Sequence, residues 1–497
     1  MKQGCPLSPL LFSLYVNDVS VCFPSEKGAR AGVDGHAQVS HIMYADDLTL
    51  LANNTTDLQS MLDSLVAYAT RKGLTVNVSK SQVVVFNGGE RAEVPVLRLA
   101  DRQLEVVSEL KYLGVVFDRK ECVSKAMERA ARPFMAGIRR VGEMAEEHCV
   151  RDNPHAMLWL FQSFALPSGM YGSQIWSTKH LAGLFKHVQA STDIHLRHSG
   201  FVKRVLQVKR TVQNHVAMRE AGQLPMHFYW FRSVIRFWNA TLRACPGCRL
   251  LRDVVMADLQ LARVRAECWT KEVCAALDSL ASEEILATNL DAGVGEPQLQ
   301  VVDVNKVTHA LQANIRSVWS KNNECGPRDE TLPLGCGRKG VTYETWMATP
   351  WGVEGKPTIP RYLRCMLPRE VIRDMAQFRT SSHRLRVETG RWERPALQWN
   401  ERKCEMCGTG AIQDEMHVLI ECDALCGLRS NFTELLDNCG GDMNKLMMSE
   451  NADQLAWFVH DCMKTIDQCH SINRINVVRV LCLVCWALRV SSLVYPP

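Results

Sequence analysis

Three absences narrow what this chain does before any motif is read. Met1 is not followed by a charged start, an apolar stretch and a small-residue cleavage site, so the pattern of a secretory leader is missing. The twenty cysteines are therefore expected as reduced thiols inside the cell. Neither sign of charge dominates: 58 Lys and Arg face 53 Asp and Glu, a net of +5. Any footprint for nucleic acid must then be local. No apolar run of spanning length is free of charge. The most apolar stretch, Val477 to Val494, holds Arg479 and Arg489, and each would cost about 3 kcal/mol near a bilayer centre. A buried or partner-facing helix is expected there, and no integral membrane role.

With 46% hydrophobic and 22% charged residues over 497, the chain has material for several cores. Its organising stretch is Tyr44-Ala45-Asp46-Asp47. Val39 to Tyr44 is mainly β-branched, apolar and aromatic, and Leu48 to Ala52 can pair back against it. That pattern predicts a tight hairpin with two carboxylates at its tip. Carboxylates on a short turn suit Mg²⁺, which takes one or two of them beside substrate phosphates. An ordinary solvated hairpin tip would use the same residues.

Three further stretches flank it: Lys2-Gln3-Gly4-Cys5-Pro6-Leu7-Ser8-Pro9, Gly73 to Ser81, and Leu110-Lys111-Tyr112-Leu113-Gly114. Ser8-Pro9 reads as an N-cap followed by proline in the first turn, opening a helix to Val19. Residues 20–40 read as a loop. Thr56-Asp57-Leu58-Gln59 is a capping-box sequence, and Leu58, Met61, Leu62, Leu65 and Ala69 recur at helical spacing up to Gly73. Leu74 to Val78 reads as a strand and Leu110 to Phe117 as a second hairpin.

In this order the four stretches resemble the second to fifth palm motifs of reverse transcriptases, specifically those of non-LTR (LINE-like) retrotransposons. The resemblance covers about the first 118 residues. It implies an RNA-directed DNA polymerase with an RNA template, a DNA primer or target and dNTPs, working in cytoplasm and nucleus. It also implies that Asp46 and Asp47 hold Mg²⁺ and that Lys80 serves as general acid toward departing pyrophosphate. Gln3 and Gly4 would line the nascent base pair, and Pro6, Ser8, Tyr44 and Asn77 would join them in binding nucleotide and template. Lys111, Tyr112, Leu113 and Gly114 would grip the primer end. Two ions roughly 4 Å apart need ligands that bridge them, and adjacent strand residues face opposite ways, so a third carboxylate is required. In the family it comes from a strand preceding the Gln-Gly motif, together with the fingers. Here Gln3 follows Met1 by two residues, so the expectation is an N-terminally truncated polymerase, inactive alone.

Beyond residue 118 the pattern turns helical. Lys125 to Arg132 and Trp159 to Phe164 read as helices, with Leu166-Pro167-Ser168-Gly169-Met170-Tyr171-Gly172 as a break. Phe201 to Leu206 and Leu224 to Phe231 interleave basic and aromatic residues, which suits either a nucleic-acid track or an amphipathic helix. Cys245-Pro246-Gly247-Cys248 has no second half at zinc spacing, so a turn with two thiols is expected. Between Arg361 and Lys403, eleven Lys and Arg face five acids, a local net of +6 centred on Ser382 to Trp392. Phosphate and base contact is expected there. Cys404, Cys407, His417 and Cys422 follow at C-x2-C-x9-H-x4-C spacing, which suits a structural tetrahedral Zn²⁺ site, with Cys426 as a substitute ligand. A fragment from about Gly355 to Ser430 is expected to bind zinc and RNA. The family often ends in such a module.

The reading is thus α+β: a partial palm of antiparallel hairpins and helices over 1–118, and a mainly α-helical thumb over 119–245. A helical segment and linker over 246–355, the arginine and zinc region over 356–430 and a helical tail over 431–497 follow. No endonuclease is recognisable. A non-enzymatic nucleic-acid-binding remnant is the alternative; a group II intron maturase shares the Gln-Gly and YADD motifs but not the Cys-Cys-His-Cys spacing.

Overall fold

A computed structural model of the chain describes residues 6–31, 37–86, 95–120, 123, 125–186, 192–244, 247–264, 267–280, 301–324, 339–352 and 355–469. These residues are mixed helix and strand, with helix predominating. They fall into two compact units, each built from separated segments: the described residues within Met1–Pro133, Gly169–Lys186 and His227–Leu311 in one, and those within Phe134–Ser168, His187–Met226 and Gln312–Pro497 in the other.

In the first unit the described strands occur only as two-stranded pairs, and helix Thr55–Lys72 gives them a core. One side of that helix, Met61 and Tyr68, packs on Val19 and Phe23. Leu62 packs the other way, on Val83, Leu97, Leu99 and Leu104, while Leu58 and Leu65 touch both clusters. Gly73 stops the helix at φ +65°, which costs glycine nothing. The N-cap is Asn54, whose side chain accepts from the Asp57 N–H at 2.8 Å, and not the expected Thr56. Helix Ser8–Tyr15 starts one residue earlier than expected, with Leu7 at the cap position and no side-chain cap. Residues 20–40 are not simply loop, since Ala29–Ala31 pairs with Ala37–Val39. The expected strand Leu74 to Val78 does not form: Leu74, Val76 and Val78 pack on the two clusters, but that backbone joins no ladder.

The predicted break at Leu166 to Gly172 is displaced. Leu166–Met170 is helical, and the chain turns only at Gly172, φ +67°. The Pro167 nitrogen has no hydrogen to return to the turn before it, and that turn, Phe161–Ala165, widens to a π-helix. In the second unit Glu220, at the end of helix Asn214–Glu220, is wholly buried. The hydroxyls of Tyr343 and Tyr362 donate to its carboxylate at 2.9 and 2.8 Å, and Arg379 Nε donates at 2.6 Å. Arg379 also donates to the main-chain oxygens of Met447 and Met347. Burial, and then the Glu220 charge, push both tyrosine hydroxyls well above their ordinary range. Every polar atom there depends on its neighbours, so removing one charge strands the other. We expect Arg379→Met to lower stability by roughly 3–5 kcal/mol and Glu220→Leu added to it to restore part of the loss, read as urea midpoints.

Candidate active-site hairpin and metal centre

The aspartate hairpin pairs His41–Tyr44 with Asp47–Leu50, in register His41↔Leu50, Ile42↔Thr49, Met43↔Leu48 and Tyr44↔Asp47. Ala45 and Asp46 alone make the turn, and Ala45 bears its strain at φ +51°. The base is fixed by the Ser40 hydroxyl, which donates to Phe23 O at 2.9 Å, and by the Leu51 N–H, which donates to Ser40 O at 2.8 Å. Leu48 and Leu50 pack inward on the helix core, so by strand alternation Asp47 and Thr49 face outward. Asp46 leaves the backbone from the turn. Tyr44, Asp46 and Asp47 are all exposed.

Lys80 and Asn77 are exposed in the loop after the long helix, where the Asn77 side chain accepts from the Ser79 hydroxyl at 2.7 Å and its main-chain oxygen accepts from the Ser81 hydroxyl at 3.0 Å. Pro6 is exposed and Ser8 half-buried at the first helix. Gln3 and Gly4 lie outside the described residues, as do Cys245, the 325–338 part of the expected linker and the tail from 470.

The second hairpin pairs Glu109–Tyr112 with Val115–Asp118 and turns through Leu113 and Gly114, both at positive φ (46° and 82°). Its tip is locked by Tyr171, whose hydroxyl donates to Leu113 O at 2.5 Å. A Cβ on Gly114 would stand 2.9 Å from the same ring. At its base, Glu109 and Asp118 take Lys125 Nζ at 2.9 and 2.8 Å, and Glu109 takes Arg129 at 2.8 Å. Those hydrogen bonds hold the Glu109 carboxyl below its ordinary range. Lys111 to Gly114 thus sit on a rigid support, and Tyr171, read in the sequence as part of a break, completes it.

Cys404, Cys407, His417 and Cys422 converge, their ligand atoms all within 4.8 Å of one another. The Cys404 and Cys422 sulfurs are 3.9 Å apart, and Cys407 Sγ is 3.3 Å from His417 Nε2. Two thiolates about 2.3 Å from one tetrahedral ion stand about 3.8 Å apart, and a thiolate and an imidazole nitrogen about 3.6 Å, so the donor set fits zinc. The fold makes this happen locally. Lys403 bridges to Ile412 and the Cys404 N–H donates to Ala411 O at 2.8 Å, closing a knuckle. Asp414 caps the next turn through the His417 N–H at 2.8 Å, and the Cys422 N–H returns to His417 O at 2.7 Å. His417 Nδ1 is buried without a hydrogen bond, 3.6 Å from the Glu421 carboxylate. Burial, and then Cys404, push the Cys422 thiol up to about 12; burial opposes ionisation of Cys407, but hydrogen bonds with Thr409, Cys404 and His417 bring it down to about 6. Cys426 is exposed and outside the cluster.

The cluster is not a free-standing module. The Ser381 hydroxyl and His383 Nε2 meet Glu415 at 3.0 and 2.8 Å, the Arg386 N–H donates to the Gln413 side chain at 2.9 Å, and Lys209 Nζ reaches His383 O at 3.3 Å. A 355–430 fragment would leave behind both Lys209 and the Glu220 partner of Arg379. Most of the arginines ahead of the cluster make contacts within the protein. Arg361 meets Glu450 at 3.2 Å, Arg373 meets Asp374 at 2.8 Å, Arg384 meets Asp467 at 3.2 Å, and Arg386 meets both Glu405 at 3.2 Å and Glu393. Arg391 stands 3.8 Å from Glu388, and Arg402 donates to Val387 O and Leu397 O at 2.9 and 2.8 Å. Glu450, Asp467, Glu405 and the Glu220 partner of Arg379 lie outside the 361–403 window, and pairing with them lowers its net charge from +6 to +2.

No helix among the described residues is long and apolar enough to cross a membrane. Residues 1–117 match the reverse transcriptase (RNA-dependent DNA polymerase) family. The retrovirus-related Pol polyprotein of the type-2 retrotransposable element R2DM of Drosophila melanogaster is 34% identical over 125 residues, 24% of this chain and 12% of that protein. The corresponding polyprotein of a type-1 element R2 of Popillia japonica is 28% identical over 182 residues, 35% of this chain and 24% of that one. The RNA-directed DNA polymerase of the mobile element jockey of Drosophila melanogaster is 23% identical over 221 residues, 43% of this chain and 23% of that protein. The chain thus matches between 12% and 24% of the length of these relatives.

Proposed function

Since the chain carries a reverse transcriptase segment of the non-LTR retrotransposon kind in residues 1–117, we propose that it is part of an RNA-directed DNA polymerase that extends a DNA primer or target on an RNA template with dNTPs. The observation that carries this reading is the hairpin: the Tyr44↔Asp47 pair and the Ala45-Asp46 turn put two carboxylates at an exposed, rigidly supported tip. Asp46 and Asp47 would hold Mg²⁺. That metal, when bound, favours ionisation of the primer 3′-hydroxyl and neutralises charge on the leaving pyrophosphate. Lys80 would give the pyrophosphate its proton. Tyr44, Asn77, Pro6 and Ser8, with Gln3 and Gly4, would frame the incoming nucleotide, and Lys111 to Gly114 would hold the primer end on their braced hairpin. Cys404, Cys407, His417 and Cys422 would hold Zn²⁺ with no coordination position left open, a structural role. Work on RNA and DNA would place the protein in cytoplasm and nucleus.

The hairpin tip supplies two of the carboxylates that a two-metal site needs. The test is therefore made in two forms. Residues 1–497 alone should incorporate no dNTP on a primed RNA template with Mg²⁺, and the same residues joined to a family fingers and first-palm segment should incorporate it. An extended chain that remains inert on primed RNA would overturn the polymerase reading. The paired arginines at 361–402 speak against the alternative of a remnant that acts through that segment alone.

A further inference from the structure

The basic surface that the sequence located at 361–403 has a better candidate in the same unit. Helix Asp193–Val205 and the turn after it carry Arg197, Lys203, Arg204, Lys209 and Arg210, and between 192 and 212 the only acid is Asp193. Arg197 and Arg204 are seven residues apart, two helical turns, and so share one face. The chain then folds back: the Val208 N–H donates to Lys203 O at 3.1 Å, Gln207 takes φ +55°, and the buried Lys203 Nζ donates to Arg210 O at 2.9 Å. That last bond uses one cation to bring a second beside the helix. Arg197, Arg204 and Arg210 are all exposed.

Their neighbours neutralise only one of the three among the described residues. Arg197 pairs with Asp193 at 2.9 Å; Arg204 lies over the Phe201 ring at 6.0 Å; among the described residues neither Arg204 nor Arg210 has a carboxylate partner. Burial, and then the charges of Arg210 and Arg197, push the Arg204 guanidinium below its ordinary range, the behaviour of like charges held together. Arg204 does complement the helix C-terminus, but that role needs one cation, and the fold supplies three on a short arc.

We propose that Arg197, Arg204 and Arg210 form a contact site for the phosphodiester backbone of nucleic acid, read without regard to sequence. This rests on the polymerase reading for the identity of the polyanion. Cationic side chains contact phosphate oxygens and release counterions as they do so. The paired arginines at 361–402 would have to break internal ion pairs to do the same.

The experiment measures the affinity of the full chain for a labelled single-stranded RNA, an RNA–DNA hybrid and a DNA duplex of equal length, as a function of salt. The variants are R197Q/R204Q/R210Q, the corresponding triple Lys variant, and Arg384→Gln, whose guanidinium is already paired with Asp467. The Gln triple is expected to lose roughly tenfold or more in affinity and to flatten the salt slope by about 2–3. The Lys triple and Arg384→Gln should keep both, which excludes misfolding as the cause. The substrate that loses most identifies the backbone held there. Unchanged affinity and slope in the Gln triple on all three substrates, or an equal loss in the Lys triple, would overturn the proposal. So would a chain that binds an acidic polypeptide through these arginines in preference to every nucleic acid. Binding is read without catalysis, so an inert polymerase would leave this result standing.

Discussion

Asp46→Asn, made in the N-terminally extended chain, is expected to lower template-directed incorporation by roughly a thousandfold, about 4 kcal/mol of barrier. The fold should be untouched. Asp46 occupies an exposed two-residue turn in which asparagine is as well accommodated as aspartate, and the hairpin is held elsewhere, by Leu48 and Leu50 on the helix core and by the Ser40 bonds to Phe23 and Leu51. A loss of rate with an unchanged melting curve would therefore report lost metal coordination. Asp57→Asn is the control. It lies in the first turn of the long helix beside its Asn54 cap, so it should cost a few tenths of a kcal/mol in stability and leave the rate alone. Incorporation by Asp46→Asn at the parent rate would return the tetrapeptide to an ordinary hairpin tip.

The parts of this fold that the sequence showed are those where a local pattern has a single solution. β-rich runs flank each short turn, and both hairpins stand where expected, although the far strand of the first begins at Asp47 and not at Leu48. Gly73 ended its helix for the same reason. Where two local solutions compete, the sequence misled. Asn54 and Thr56 are both good caps, and the choice fell to Asn54 because its side chain reaches the Asp57 N–H. Pro167 reads as a break, yet a widened turn before it accommodates the missing N–H within a helix. Partners remote in the chain were invisible. Arg361 with Glu450, Arg384 with Asp467 and Arg379 with Glu220 are separated by 89, 83 and 159 residues, and no count of charge over a window shows which cations are already spoken for. The sequence left Phe201 to Leu206 open between a nucleic-acid track and an amphipathic helix, and there Arg204, with Arg210 just after the helix, has no carboxylate partner among the described residues.

The Cys-Cys-His-Cys cluster was legible as four ligands but not as part of a larger core, and this sets what metal removal should do. A free-standing knuckle gains its whole stability from zinc, roughly 10–16 kcal/mol in isolated fingers. Here Val418 and Leu419, between His417 and Cys422, are fully buried, and Gln413 and Glu415 tie the knuckle to Arg386, Ser381 and His383. The loss should therefore be several kcal/mol, below the isolated-finger value, and it should spread beyond residues 404–422. Cys404, His417 and Cys422 are each under 9% exposed, so without an ion three polar groups would remain in a dry site on weak contacts such as Gln413 Nε2 to Cys404 Sγ at 3.7 Å and Cys407 Sγ to His417 Nε2 at 3.3 Å. The full chain is expected to hold one zinc by metal analysis. Chelator should lower its urea midpoint and raise amide exchange across 381–425. Cys407→Ser should reproduce both effects, because it removes the half-buried ligand that faces His417 Nε2 at 3.3 Å, whereas exposed Cys248→Ser should change neither. A chain that contains no zinc, or whose midpoint and exchange ignore chelator, would reduce the four residues to a thiol and imidazole cluster that folds without metal.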